Sequence, residues 1–221
     1  MFIGHLGVGL AMKKADQRIN LGLLFFAAML LDVLLWIFVL LGIEQVIVPP
    51  NFANLHYLTF SFPYSHSLVG ALVWSALAFG IAKYGLFRGK DWATRAGWVV
   101  SLAVFSHFIL DFLSHVPDLP LVGNSFKIGF GLNSNIWVEL SVEVLIAAIG
   151  LVVYWRSAAG TSRAARFGLI ALMAFLAVLT VGGAMSPTAP VPVQAAISAL
   201  VMIPLVSGIA FWLDRKNALN F

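Results

Sequence analysis

Six stretches of this sequence, at about 21–43, 66–84, 97–116, 136–155, 167–185 and 193–213, stay apolar for as long as a helix needs to cross a bilayer, roughly 20 residues. Inside hydrocarbon no water pairs with backbone N–H and C=O groups, so such stretches must close their hydrogen bonds internally, as helices. The chain is 61% hydrophobic and 10% charged, against about 45–50% and about 25% in an ordinary soluble domain. These features predict an all-α fold, a polytopic transmembrane helical bundle of about six spans. It forms one membrane-embedded domain, residues 1–221, whose partner is the lipid bilayer. The ionisable groups inside apolar segments all precede residue 145, so the part up to about 145 reads as the site-bearing half. The helices from about 146 to 221 read as scaffold, with the segment 186–192 as a short turn between the last two.

The basic residues set the orientation. If the loops alternate, one side holds Lys13, Lys14, Arg18, Lys83, Arg88, Lys90, Arg95, Arg156, Arg163, Arg166, Arg215 and Lys216, and the other holds only Lys127. That asymmetry predicts an integral membrane protein with both termini on the cytoplasmic side. It also accounts for the net charge of +4, so nucleic acid is not an expected partner. Residues 1–12 are followed by Lys13-Lys14, the reverse of a signal peptide's order, and are expected to be retained. As a helix they would span only about 18 Å, too little to cross a core of about 30 Å. They could still dip inward and carry His5 toward Asp32, with Gly4, Gly7 and Gly9 permitting close packing.

The third span carries the chemistry. Residues four apart on a helix are offset by about 40°, so His107, Asp111 and His115 form one polar stripe of metal-ligand side chains. The chain has no cysteine, so a metal here must be held by His, Asp or Glu. An ionisable residue in hydrocarbon costs about 2.5–3.5 kcal/mol on insertion scales, and Asp32, His107, Asp111 and Glu143 must recover that cost by pairing or by a shared ion. His66, in Ser65-His66-Ser67 at the start of the second span, and Asp32 in the first are the best placed further ligands. The alternative is an Asp–His hydrogen bond that locks helices together. Glu139 and Glu143 share a face of the fourth span, where one can ligate while the other serves as general base, or either can pair with Lys127 or a histidine. Lys127, in a glycine-bearing loop, is a candidate to offset anionic charge or simply snorkels. His56 reads as interfacial, and Asp118 as a helix-end group or a ligand.

His5, Asp32 in Leu30-Leu31-Asp32-Val33-Leu34, His66 in Ser65-His66-Ser67-Leu68, and His107 with Asp111 together resemble the family of predicted membrane-bound metal-dependent hydrolases, the LexA-binding, inner-membrane-associated type. The resemblance covers about residues 1–118. It departs from the family pattern at Leu31 and Leu34, where a proline and a second acid are usual, and at Ser61-Phe62-Pro63, where His-Arg-Gly is usual. His115, Asp118 and the glutamates of the fourth span are the candidates to replace the missing ligands. The resemblance implies a metal-dependent hydrolase.

The expectation is therefore a membrane hydrolase with one divalent metal, zinc by its nitrogen and oxygen ligands, acting on an amphiphilic lipid or lipid-linked ester or phosphoester. His66, His107, Asp111, His115, Asp32 and His5 are the metal candidates, and Glu143, Glu139 and Lys127 the catalytic ones. A proton- or ion-coupled transporter and a non-catalytic membrane scaffold are the competing expectations.

Overall fold

Apolar runs bounded by turn residues become helices in the structure, a computed structural model that describes residues 1–157 and 162–218. The short α1 (Phe2–Met12) is followed by α2 (Leu21–Ala28) and α3 (Leu30–Leu40). β1 (Gln45–Ile47), the single turn α4 (Phe52–Leu55) and β2 (Thr59–Ser61) lead to α5 (Leu68–Ile81), which continues as a π-turn through Leu86. Then come α6 (Ala93–Ser114), the hairpin β3 (Leu119–Val122) and β4 (Ser125–Ile128), α7 (Ile136–Ser157), α8 (Arg163–Ala184) and α9 (Pro192–Ala218). Among the described residues five helical stretches are long and apolar enough to cross a membrane, six if the bent pair α2–α3 counts as one span. The protein is an all-α integral membrane bundle with two small antiparallel hairpins. Exposed Leu72, Ile109, Leu145, Val178 and Val201 form part of its apolar outer surface, suited to lipid contact.

Caps start the helices where polar residues interrupt the apolar pattern. Asn20 accepts from Gly22 N at 2.8 Å, Ser67 from Gly70 N at 3.0 Å and Ser162 from Ala165 N at 3.2 Å, each satisfying an N–H that the first turn leaves free. The first span differs from the single helix expected over 21–43: it breaks at Met29 with a bend of 51°. The hairpins are a second difference, because they occupy stretches that read as loops. In the first, Val46 lies opposite Phe60; in the second, Pro120 lies opposite Lys127.

α1 lies inside the bundle rather than across the membrane. It packs on α7 so closely that a Cβ on Gly150 would sit 2.0 Å from the Gly7 carbonyl oxygen, and one on Gly7 would sit 2.7 Å from Ala147 Cα. Only glycine permits this approach, which realises the packing expected of the early glycines. Ile3, Leu6 and Leu10 join Phe25, Met29 and Leu176 in one buried cluster, while Leu24, Leu31, Val100, Val104 and Phe108 build a second.

Just past α1 the chain anchors itself to α9. Lys13, fully buried, donates to Asp214 Oδ2 at 2.5 Å and to the Ile19 carbonyl at 2.7 Å. The same Asp214 oxygen accepts from Leu21 N, and Tyr154 Oη lies 3.3 Å from the other. Beside it, burial would raise the Asp16 carboxyl, but hydrogen bonds from Arg18 outweigh that and hold it below its ordinary value. Gln17 donates to the Ser157 carbonyl and Arg95 to the Ala15 carbonyl, so the ends of α1, α7 and α9 and the start of α6 meet at one level with their basic residues. Side chains are described through Arg215 in α9, so Lys216 of the basic set lies outside the described side chains.

Removing one partner of a buried ion pair strands the other charge, at a cost of about 3–5 kcal/mol. Lys13→Met should therefore lower the thermal unfolding midpoint of the detergent-purified protein clearly, and Lys13→Met with Asp214→Asn should recover part of the loss. A single variant as stable as the parent would show that the pair does not anchor α1.

Candidate metal centre

The end of the bundle opposite the Lys13–Asp214 anchor gathers five of the six expected ligands around one point. Asp32 is in the first turn of α3, where the helix N-terminus favours a carboxylate. His66 immediately precedes the cap Ser67 of α5. His107 and Asp111 share a face of α6, and His5 comes from α1. His5, His66, His107 and Asp111 are buried, while the Asp32 side chain keeps 24% exposure. Two overlapping groups of ligand atoms, His5, His107 and Asp111 and then Asp32, His66 and His107, each lie within 4.8 Å of one another.

The separations have the size of a coordination polyhedron. His66 Nε2 lies 3.2 Å from His107 Nε2, 3.6 Å from Asp32 Oδ1 and 3.4 Å from Asp111 Oδ2. His107 Nε2 lies 3.6 Å from Asp32 Oδ1 and 3.2 Å from Asp111 Oδ2. A tetrahedron with ligands about 2.1 Å from its centre has edges of about 3.4 Å, and these five separations are of that size.

The protons point the same way. His107 Nδ1 lies 2.7 Å from the Ala28 carbonyl, which can only accept, so that nitrogen carries the hydrogen and in the neutral ring Nε2 presents a lone pair. Ser65 Oγ lies 2.6 Å from Glu44 Oε2 and donates to it; Oγ therefore accepts from His66 Nδ1 at 2.8 Å, and His66 Nε2 likewise presents a lone pair. Two imidazole lone pairs and two carboxylate oxygens converge. A single proton on one ring would supply one donor to a set that offers four acceptors, whereas a cation satisfies all of them together. The buried His/Asp cluster can hold a metal ion, and its rings are oriented from behind in the way metal-ligating histidines are.

The first of these supports depends on the broken span. The Ala28 carbonyl, the helical partner that Asp32 N would have in a continuous helix, sits at the break and is turned to His107 instead. The second depends on Glu44, which sequence reasoning missed. Glu44 lies in the turn after α3, is 2% exposed, and accepts from Tyr64 N, Ser65 N and Ser65 Oγ. Its partners are some twenty residues away, and no local spacing signals the contact.

The remaining candidates separate. His5 is closer to the centre than its place in a short apolar segment suggested: its Nε2 lies 3.2 Å from Asp111 Oδ1, and its ring stacks on His107 at 3.8 Å and 4°. His115 is not the third member of a helical stripe, because α6 ends at Ser114 and His115 is in extended backbone. Its Nδ1 pairs with Asp118 Oδ1 at 2.9 Å, and its Nε2 stands 3.9 Å from Asp111 Oδ2, beside the cluster. Asp118 also accepts from Phe60 N, so it ties β2 to the end of α6.

Glu143 is corrected from general base to structural acceptor: its Oε2 takes the Ile3 and Gly4 N–H groups at 3.0 and 3.3 Å and so caps the start of α1. Lys127 is also corrected, since it is exposed on β4 and does not line the cavity beside the cluster. That cavity, of about 340 Å³, is bordered by Asp32, His66, Asp111, His115 and Glu139, with Phe52, His56, Tyr57 and Phe60 from the first hairpin forming a wall. Glu139 accepts a hydrogen bond from buried Ser114 Oγ, from the α6 turn that follows Asp111.

Comparison with models of known protein families, with curated proteins and with solved structures finds no match to this chain.

Two outcomes test the centre. Asp111→Asn should abolish stoichiometric metal in elemental analysis of the purified protein. Glu44→Gln or Ser65→Ala should weaken metal binding about 10–100-fold in a competitive chelator titration while the helical content stays unchanged. Metal content insensitive to Asp111 would sink the site.

Proposed function

We propose that this chain is a membrane-bound metal-dependent hydrolase, with zinc as its ion, acting on a lipid or a lipid-linked ester or phosphoester. The observation that carries the reading is the convergence of four lone-pair atoms, with the imidazole protons held on their far sides, at the wall of a cavity that also contains an acid. His66, His107, Asp32 and Asp111 would hold the ion, with His5 fixing the second oxygen of Asp111. Nitrogen and carboxylate ligands at tetrahedral spacing suit zinc. Bound there, such an ion supplies Lewis acidity toward a scissile carbonyl or phosphoryl group.

The rest falls to the chain's own residues. Glu139 borders the same cavity as Asp111 and His66 and is the acid placed to take a proton from water during attack. The Ser114 hydroxyl holds its carboxylate toward α6. Phe52, Tyr57 and Phe60 offer apolar surface to an amphiphile. The resemblance noted in the sequence supports the same reading, since its motif residues His5, Asp32, His66, His107 and Asp111 are the ones that converge. Basic residues concentrated at the far end support an orientation with the centre toward the outer side of a bacterial inner membrane.

One observation favours a second reading. A helix broken at membrane depth beside ionisable groups is a feature of carriers, and the α2–α3 break lies against His107.

Turnover of metal-replete protein on phosphatidate and isoprenoid phosphates, assayed beside flux into proteoliposomes, discriminates the two. Glu139→Gln should retain its metal and lose about 10²–10⁴-fold in turnover, whereas Glu143→Gln should act chiefly on stability. Fully metallated protein that moves an ion or solute across the vesicle wall but hydrolyses none of these lipids would favour the carrier.

A further inference from the structure

A cavity larger than the one beside the metal centre lies elsewhere. It opens at the basic end of the bundle, with a volume of about 740 Å³. Arg18, Asn20 and Lys90 supply its polar groups, and Phe26, Trp92 and Phe211 contribute to its apolar wall. Arg18 is held there on two sides: its Nε and Nη2 bond to Asp16, and its guanidinium lies 4.7 Å from the centre of the Trp92 ring. Its Nη1 has no hydrogen-bond partner in that arrangement, and Lys90 is exposed and forms no ion pair among the described residues. Ser207 lines the same cavity at 7% exposure, and its hydroxyl is a buried polar group without a partner.

A second crevice of about 320 Å³ adjoins the first, and Leu23, Phe26 and Leu86 border both. All its lining residues, among them Leu30, Leu34, Trp74 and Ala78, are hydrophobic. From Leu23 to Leu34 it follows α2 and α3 for eleven residues, roughly 16 Å of helix, away from the basic end and toward membrane depth. The two neighbouring spaces thus offer cationic groups and a hydroxyl in one and a purely apolar lining in the other.

We infer that this crevice is a binding site for one anionic glycerophospholipid, its phosphate taken by Lys90, Arg18 and the Ser207 hydroxyl and an acyl chain laid along α2–α3. Opposite charge at the mouth selects the head group, and basic pockets between helices on the positive side of membrane proteins suit such lipids. A zwitterionic lipid would fill the channel equally well but would bring its own cation to Lys90. The inference is independent of the hydrolase reading, because none of these residues borders the metal centre.

The test is a titration of the detergent-purified full chain with phosphatidylglycerol and, in parallel, with phosphatidylcholine, read by native mass spectrometry and by thermal shift. Phosphatidylglycerol should bind at least 10-fold more tightly and raise the unfolding midpoint. Lys90→Glu, an exposed change, should remove most of that preference without altering the lipid-free midpoint. Ala78→Phe, which fills the channel, should weaken both lipids while metal content stays at the parent level. Equal affinity for the two lipids, an unchanged preference in Lys90→Glu, or glycerol phosphate binding as tightly as the intact lipid would each overturn the proposal.

Discussion

The arrangement at the centre rests on where two protons are kept. His107 and His66 each spend their Nδ1 hydrogen on a fixed acceptor behind the ring, the Ala28 carbonyl in one case and the Ser65–Glu44 pair in the other. While those rings are neutral, their inner nitrogens present lone pairs to one another and to two carboxylates in a largely buried cluster. Like-signed partial charges at 3.2–3.6 Å are strongly unfavourable in a medium of low dielectric, so the cluster is stable only with positive charge among its members. Everything else in that half of the molecule serves to hold these atoms at that spacing.

The bundle does so by departing from regular helices where regularity would be useless. A straight first span would keep the Ala28 carbonyl in its own ladder; the bend at Met29 releases it to His107 and opens α3 afresh, so that Asp32 sits in a first turn. α1 stops well short of a crossing, and the glycine contact with α7 lets it lie deep enough for His5 to stack on His107. Glu143 completes that docking by accepting the N–H groups that α1 cannot satisfy itself. Each irregularity places a polar backbone group against protein instead of lipid, which is the condition under which a membrane fold tolerates it.

Apolar run lengths made the bundle and its spans legible from sequence, since a bilayer imposes one dominant length scale. The clustered residues His66, His107 and Asp111 were legible for a related reason: ionisable residues in such runs are costly, so their presence is informative. Helical spacing misled at His115, because the four-residue stripe assumes a helix that in fact stops at Ser114. Spacing also grouped Glu139 with Glu143, yet one borders the cavity and the other caps α1, a division made by packing against α1 and α6. Glu44 left no trace in the local pattern, and Lys127 drew attention as an isolated outer cation although it lies on an exposed strand. Residues whose role depends on distant partners are invisible to periodicity.

The docking of α1 against α7 has a temporal side. Gly7 is made well over a hundred residues before its counterpart Gly150 and the capping Glu143. A segment too short to hold itself across a bilayer gains little by inserting alone. The α7 contacts that seat α1, and His5 with it, therefore need more of the chain than the cluster of Asp32, His66, His107 and Asp111, whose elements end with α6. Synthesis order thus supplies the four residues of the cluster before the helix that holds the fifth against them.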